Sequence, residues 1–363
     1  MTESAQPPVF WRQPAAERTL KQAAAVSRLS RAYLLVGPDG VGKWAAAQWL
    51  AQTLLCRQDN VRQRPCGTCE GCRRVATGTH PDWHALFPVP SSTAEEDAAA
   101  FLAAKRDDPF AVVRFKKRPY LGMERIRDLI TELNKTSVEG GRKVALIASA
   151  EQMAGESQTI LLKTIEEPPP DAHFILTSAD PGRLLPTVVS RCQMVRFHPV
   201  DPAYIAERLI AERGLDTDRA HLVAELSGGG WGNALRQAGD DAETWRHLML
   251  EFWKGAFAVG TGELLTQIDG TFRPRGRGVG FDLLLQAFDV WGLCLRRDCE
   301  RSVAGDVRAD RQRLPGASVP DLETGWTCWR ILQNGRSTLY VNVAERHAIA
   351  GTFLALREQL RIP

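Results

Sequence analysis

Two groups of residues in this chain of 363 have types and spacings that could do chemistry. The first is Gly37-Pro38-Asp39-Gly40-Val41-Gly42-Lys43, a match to G-x-x-x-x-G-K. Gly37, Gly40 and Gly42 permit a tight loop whose backbone N–H groups point inward. With the following helix N-terminus they bind a polyphosphate, and Lys43 reaches the outer phosphates as a point charge. An incidental glycine-rich turn would carry the same letters, so the motif needs a strand before it and a helix after it. The second group is Cys56-x9-Cys66-x2-Cys69-x2-Cys72. Four soft thiolates favour tetrahedral Zn²⁺, and with no position left for water such a site is structural rather than catalytic. Free or redox-active cysteines and an iron–sulfur cluster are the alternatives, less common for a loop of this kind.

The phosphate loop lacks what hydrolysis needs. A Ser or Thr should follow Lys43, because its hydroxyl coordinates the Mg²⁺ bridging the β and γ phosphates, and here the residue is Trp44. The second strand of such a fold should end in an acidic pair, yet Lys143-Val144-Ala145-Leu146-Ile147 runs on into Ala148-Ser149. Glu151 lies two positions further on and is expected on the next helix, facing elsewhere. The loop should therefore be able to hold ATP or ADP without efficient Mg²⁺-dependent turnover.

The elements that must position these groups follow from pattern. Residues 15–30 have helix-forming composition, AYLLV at 32–36 reads as a buried strand, and the helix opened after Gly42 leads straight into the cysteines. Residues 85–119 read as an irregular insertion, with an acidic, alanine-rich SSTAEEDAAA and a basic run of Arg114, Lys116, Lys117 and Arg118. A helix from about Met123 to Leu133, the strand KVALIAS, a helix stopped by Pro168-Pro169-Pro170 and the strand HFILTS then give the alternation of a parallel α/β sheet. After Pro199 apolar residues recur at helical spacing, with a Gly/Arg-rich break near 270–280. Charged residues make up 25% and the formal net charge is +3, too small to imply nucleic-acid binding without a local patch. The basic runs at 114–118 and 273–277 are such patches, though each reads more readily as a solvated loop. No export signal or membrane span is read, and cysteine clustering suits a reducing compartment, so a cytoplasmic location is expected.

Taken together, GPDGVGK, the cysteine cluster, GTHPDWHAL, LLKTIEEPP and Ser190-Arg191-Cys192 resemble, over about residues 10–240, the subunits of the bacterial DNA polymerase III clamp loader. The match is to the delta-prime family, which is related to gamma/tau. The resemblance implies an AAA+ P-loop domain at 1–199, with a zinc module at about 56–72 and an insertion at about 85–119. A small helical lid at 200–243 and an all-α collar at 244–363 would follow. It implies a hetero-oligomeric ring with gamma/tau and delta subunits that loads a sliding clamp on primed DNA as part of the polymerase holoenzyme. Gamma/tau subunits keep the Thr and the Asp-Glu pair that are Trp44 and Ala148-Ser149 here, and Gly232 stands where their lid arginine falls, with Arg236 nearby. This chain thus looks like a subunit that is not an active ATPase alone. Arg191 resembles the arginine finger that reaches a neighbour's ATP in trans. Lys163 and Glu166-Glu167 read as a solvated helix face or an interface, and Thr177-Ser178 as a weak γ-phosphate sensor. The competing readings are an active gamma/tau-like ATPase and a zinc-dependent nucleic-acid-binding P-loop module.

Overall fold

Five short strands, all parallel, form one sheet in the order β2-β3-β4-β1-β5. They are β1 (Ala32–Val36), β2 (Trp83–Leu86), β3 (Lys143–Ile147), β4 (Ala172–Ser178) and β5 (Gln193–Arg196). The three central strands are buried at every residue, as expected of parallel strands covered on both faces. The structure is a computed structural model describing residues 9–26, 29–91, 94–139, 141–272, 279–304, 321–340 and 344–361. The basic run at 273–277 lies outside them.

Two compact units are formed, residues 1–113 with 119–236, and residues 114–118 with 237–363. In the first, the crossovers include α2 (Lys43–Leu55), α3 (Glu70–Thr77), α5 (Met123–Asn134), α6 (Gly155–Glu166) and α7 (Pro186–Ser190). The apolar stripe of α5, formed by Ile126, Leu129 and Leu133, packs with Leu161 and Ile165 of α6 against β3 and β4. Before the sheet lies α1 (Pro14–Ala25), and after it α8 (Pro202–Arg213), α9 (Thr217–Leu226) and α10 (Trp231–Gln237) complete the unit.

The second unit holds α11 (Asp240–Ala256), α12 (Thr261–Phe272), α13 (Phe281–Ala304), α14 (Leu322–Thr338) and α15 (Glu345–Gln359). Its centre is aromatic, with Phe252, Phe272 and Phe353 around the fully buried Trp291, whose indole donates to Met249 O at 3.3 Å. Arg357 is buried too, donating to Val259 O at 2.7 Å beyond the end of α11. Within this unit Lys116 O accepts from Phe281 N at 2.8 Å, so part of the basic run read as loop is tied into a helical unit.

Two expectations need correction. The stretch expected to be irregular, 85–119, opens on the last two residues of β2 and contains a helix of 14 residues, α4 (Ala94–Asp107). Its acidic first turn (Glu95, Glu96, Asp97) and basic last turn (Lys105, Arg106) both complement the helix dipole, and alanine supplies the propensity. Glu151, in turn, does not face elsewhere. Ser149 adopts left-handed φ 49° and ψ 52°, and a 3₁₀ turn at Ala150–Gln152 carries the Glu151 carboxyl back beneath the strand ends. There Oε1 accepts from Ala179 N at 3.3 Å and Oε2 has no hydrogen-bond partner. Burial, with Asp39 nearby, raises its pKa, partly offset by Lys43 and by hydrogen bonding that includes Ser178. A carboxyl whose folded pKa is raised favours the fold below the ordinary carboxylate range and loses that contribution as pH climbs through the folded pKa. Glu151→Gln should therefore match the parent in urea midpoint at low pH and pull ahead of it as pH rises, and parallel midpoint curves across about pH 4 to 8 would contradict the assignment.

Candidate functional site

The phosphate loop joins the end of β1 to α2, in the middle of the sheet and at the carboxyl ends of its strands, where open α/β sheets bind ligands. Gly37 N donates to Ser178 O at 3.1 Å, which fixes the start of the loop to β4. Gly40 and Gly42 take φ of 81° and 102°, left-handed values that side-chain-bearing residues rarely adopt. Lys43 is buried, donating to Gly37 O and, at 2.7 Å, to Pro38 O, with Asp39 Oδ1 at 3.8 Å. Gly37, Gly40, Gly42 and Lys43 are thus brought together as the motif requires.

Trp44 occupies the first turn of α2 and is 9% exposed, its ring edge-on to Phe101 of α4 at 5.3 Å and to Phe87 at 6.4 Å. Phe87 and Phe101 are themselves stacked at 4.0 Å. An aromatic cluster therefore stands where a hydroxyl would hold Mg²⁺. At the end of β3, Ala148 and Ser149 supply no carboxylate, and Thr177 Oγ1 accepts from Ser149 N at 3.1 Å. The hydroxyl read as a phosphate sensor thereby stitches β4 to the turn after β3. Glu151 is the acidic group that the sequence pattern places away from this region, and the left-handed Ser149 that returns it leaves no mark in sequence.

The four cysteines also converge. Their sulfurs all lie within 4.8 Å of one another, and Cys56 Sγ and Cys69 Sγ are 3.8 Å apart. A tetrahedral ion with sulfur bonds of about 2.3 Å needs sulfurs about 3.8 Å apart, so the cage fits a Zn²⁺-sized ion. Backbone N–H groups already serve the sulfurs: Gln58 N donates to Cys56 at 3.4 Å, Cys69 N to Cys66 at 3.3 Å and Cys72 N to Cys69 at 3.4 Å. The amides of Cys69 and Thr68 bring the Cys66 thiol down to about 6, whereas burial raises Cys56 and Cys72. Gly67 turns the chain at φ 73°, and Gly71 has no room for a Cβ beside Leu55 O. Gln48 and Gln52 of α2 donate to Ala76 O and Cys72 O, each at 3.1 Å, seating the module on the helix that follows the phosphate loop.

A second tie, not visible in the sequence, runs through the phrase GTHPDWHAL. Asp82 accepts from Ser137 Oγ, Val138 N and Glu139 N at 3.0, 2.9 and 3.1 Å, and Asp82 N donates to His80 Nδ1 at 3.1 Å. Glu139, fixed in this way, binds Arg57, next to Cys56, and Arg74, on the helix that carries Cys72, at 2.8 Å each. Those guanidiniums hold the Glu139 carboxyl below its usual range, Arg57 most strongly. His80 Nε2 lies 3.3 Å from Glu139, yet burial lowers the His80 pKa.

Arg191 belongs to neither group. It caps the C-terminus of α7, 42% exposed at its side chain, with Nη2 at 2.5 Å from Glu166 Oε1 and Nη1 donating to Thr187 O at 3.3 Å. Glu166 is thereby an ion-pair partner rather than a purely solvated charge. Beside it, burial raises the Cys192 thiol to about 11, which makes it an inert thiol at neutral pH.

The model of the family described as DNA polymerase III, delta subunit matches residues 12–201. The DNA polymerase III subunit delta' of Bacillus subtilis is 33% identical over 59% of this chain and 56% of its own. That of Escherichia coli is 30% identical over 62% of this chain and 59% of its own. The E. coli subunit tau is 30% identical over 68% of this chain and 32% of its own. The chain spans a little over half the length of these two delta-prime relatives. No helix among the described residues is long and apolar enough to cross a membrane. With just over half of its residues inside the family model, and with the parallel α/β sheet and helical remainder that the sequence leads one to expect, the chain belongs to the DNA polymerase III delta-prime family.

Proposed function

We propose that this chain is a delta-prime-type subunit of a replicative clamp loader that does not hydrolyse ATP itself. It assembles with gamma/tau and delta subunits and presents Arg191 in trans to a neighbour's ATP, for loading a sliding clamp on primed DNA. Residues 200–243 would serve as the lid and 244–363 as the collar of the ring. The observation that carries the reading is Trp44, buried among Phe87 and Phe101 where a magnesium-binding hydroxyl is required. A guanidinium that spreads over γ-phosphate charge in the transition state is worth about 10³ to 10⁵ in rate in well-characterised cases. In a complex reconstituted with its partner subunits, Arg191→Ala should leave assembly intact and slow DNA-stimulated ATP hydrolysis by about the share of the one site, among several, that loses its finger. An unchanged rate in an intact complex would remove the role.

Cys56, Cys66, Cys69 and Cys72 hold a structural Zn²⁺ on this reading, and all four coordination positions are then filled by protein. Freshly purified chain should contain about one equivalent of zinc, and chelation should lower its melting temperature. Cys69→Ser protein that retains full zinc and full stability would argue against the assignment.

Glu151 favours a second reading, an active gamma/tau-like ATPase whose acidic group comes from an unusual position. Its unpartnered oxygen lies beneath the same strand ends as the loop. The isolated chain should nevertheless show no hydrolysis above background. Turnover near 1 s⁻¹ or faster that Glu151→Gln abolishes would install the second reading in place of the first.

A further inference from the structure

We propose that residues 105–112 form a built-in plug that occupies this chain's own nucleotide site and keeps nucleoside polyphosphates off the phosphate loop. The proposal rests on the non-hydrolysing reading and gives it a physical cause. Phe110, 3% exposed, lies on Gly42, so that a Cβ there would be 2.7 Å from its Cε1 and 3.1 Å from its Cζ. Gly42 is the residue before α2, and the face of the loop there is where phosphate oxygens must approach the helix N-terminus. A phenyl ring set on that face takes the space and presents no hydrogen-bonding group to the loop.

The same residue makes a second contact. Its carbonyl oxygen packs on Gly232 so closely that any Cβ would overlap it. Gly232 N donates to Gly40 O at 3.2 Å, and Asn233 Nδ2 donates to Asp39 O at 3.0 Å. Gly230 has no room for a Cβ against Asp39 O either. Backbone therefore lies on backbone through three layers: the phosphate loop, the start of α10, and residue 110. A long basic side chain at 232, as an active lid would carry, cannot enter this arrangement.

The stem of the plug is held by Lys105. This residue is half-buried, but its ammonium is enclosed, donating to Ala111 O at 2.5 Å and Pro109 O at 3.4 Å and standing 5.2 Å from the Trp44 ring centre. Loss of water pushes its pKa down to about 8. Asp108 Oδ1 accepts from Phe110 N at 2.8 Å, which turns the chain after α4 and aims the ring at the loop. Phe101 of α4 packs on Trp44. Trp44 is thus the seat of the plug, and the departures at 44 and 232, with the additional segment after β2, are three parts of one packing arrangement.

The test is nucleotide binding by the full chain, with ATP and ADP as probes, with and without Mg²⁺, followed by calorimetry and by hydrogen exchange of the peptides spanning 37–43 and 105–113. The parent should fail to saturate at about 1 mM, and Lys105→Ala/Phe110→Ala should bind ADP at least about tenfold tighter, because the competent state is no longer masked. Lys105→Met, which keeps the apolar stem, is the milder variant if the double one does not fold, and should show the same direction. Parent protein that saturates at micromolar nucleotide with the 105–113 amides still protected would overturn the plug. So would variants that fold, retain the parent's metal content and bind no tighter than the parent. Hydrolysis is read separately. A variant that binds nucleotide without turning it over supports both readings, whereas turnover by the parent would sink the non-hydrolysing reading and the plug together. An unplugged variant that still fails to bind nucleotide, in a chain whose Arg191→Ala form slows the complex, would sink the plug alone.

Discussion

The first unit depends on how closely backbone can approach backbone around the phosphate loop. Gly37 sits against the Phe197 carbonyl, Gly40 against the amides of Gly232 and Asn233, and Gly230 against Asp39 O, all without room for a side chain. These contacts join β1, the segment after β5 and the start of α10. Because the loop, the start of α10 and the end of the sheet share this packing, a side chain added at any one of them would displace the others. The loop in this chain is a structural joint as well as a phosphate-binding pattern. That is a use for its glycines that does not require a nucleotide.

A similar constraint governs the cysteine module. Between Cys56 and Cys72 there is little apolar mass, and α3 has only Gly71, Cys72 and Val75 buried. Such a segment cannot stabilise itself by burial alone, which is the circumstance in which a metal cage contributes most. Its other attachments include the two glutamines of α2 and the Glu139 pairs with Arg57 and Arg74. Those pairs are partly exposed, with side-chain exposures of 18% for Glu139, 53% for Arg57 and 37% for Arg74, so solvent screens them and they add little to stability. Their value is orientation. They set the angle at which the module leaves the P-loop helix.

Whatever has a local signature is legible in the sequence. AYLLV, KVALI and the apolar stripe of Ile126, Leu129 and Leu133 announce themselves through composition and period, and four cysteines within seventeen positions announce a cage. What is not legible has its cause at long range. β5 reads QMVR, with only Val195 fully buried, and is a strand because β1 offers it an edge, not because it is apolar. The contacts of Phe110 with Gly42 and Gly232 link positions far apart in the chain, and no window of sequence contains them. Glu151 escapes for a smaller reason: continuing the helix from Ala150 points it outward, whereas one left-handed residue at Ser149 points it in.

The two ends of the proposed function differ in how hard each is to rearrange. Arg191 is held by an ion pair to Glu166 in which both side chains are about 40% exposed, and a pair of that kind is worth about 0–1 kcal/mol. Exchanging that carboxylate for a phosphate on a neighbouring subunit costs the fold almost nothing, and the Thr187 carbonyl can keep the guanidinium oriented meanwhile. Trp44 and Phe110, by contrast, are almost fully buried, and withdrawing either exposes apolar surface at about 25 cal/mol per Å². A chain whose Arg191 is loosely held and whose own loop is tightly packed is suited, on the proposed reading, to donate to a neighbour's site. It is poorly suited to cycle its own.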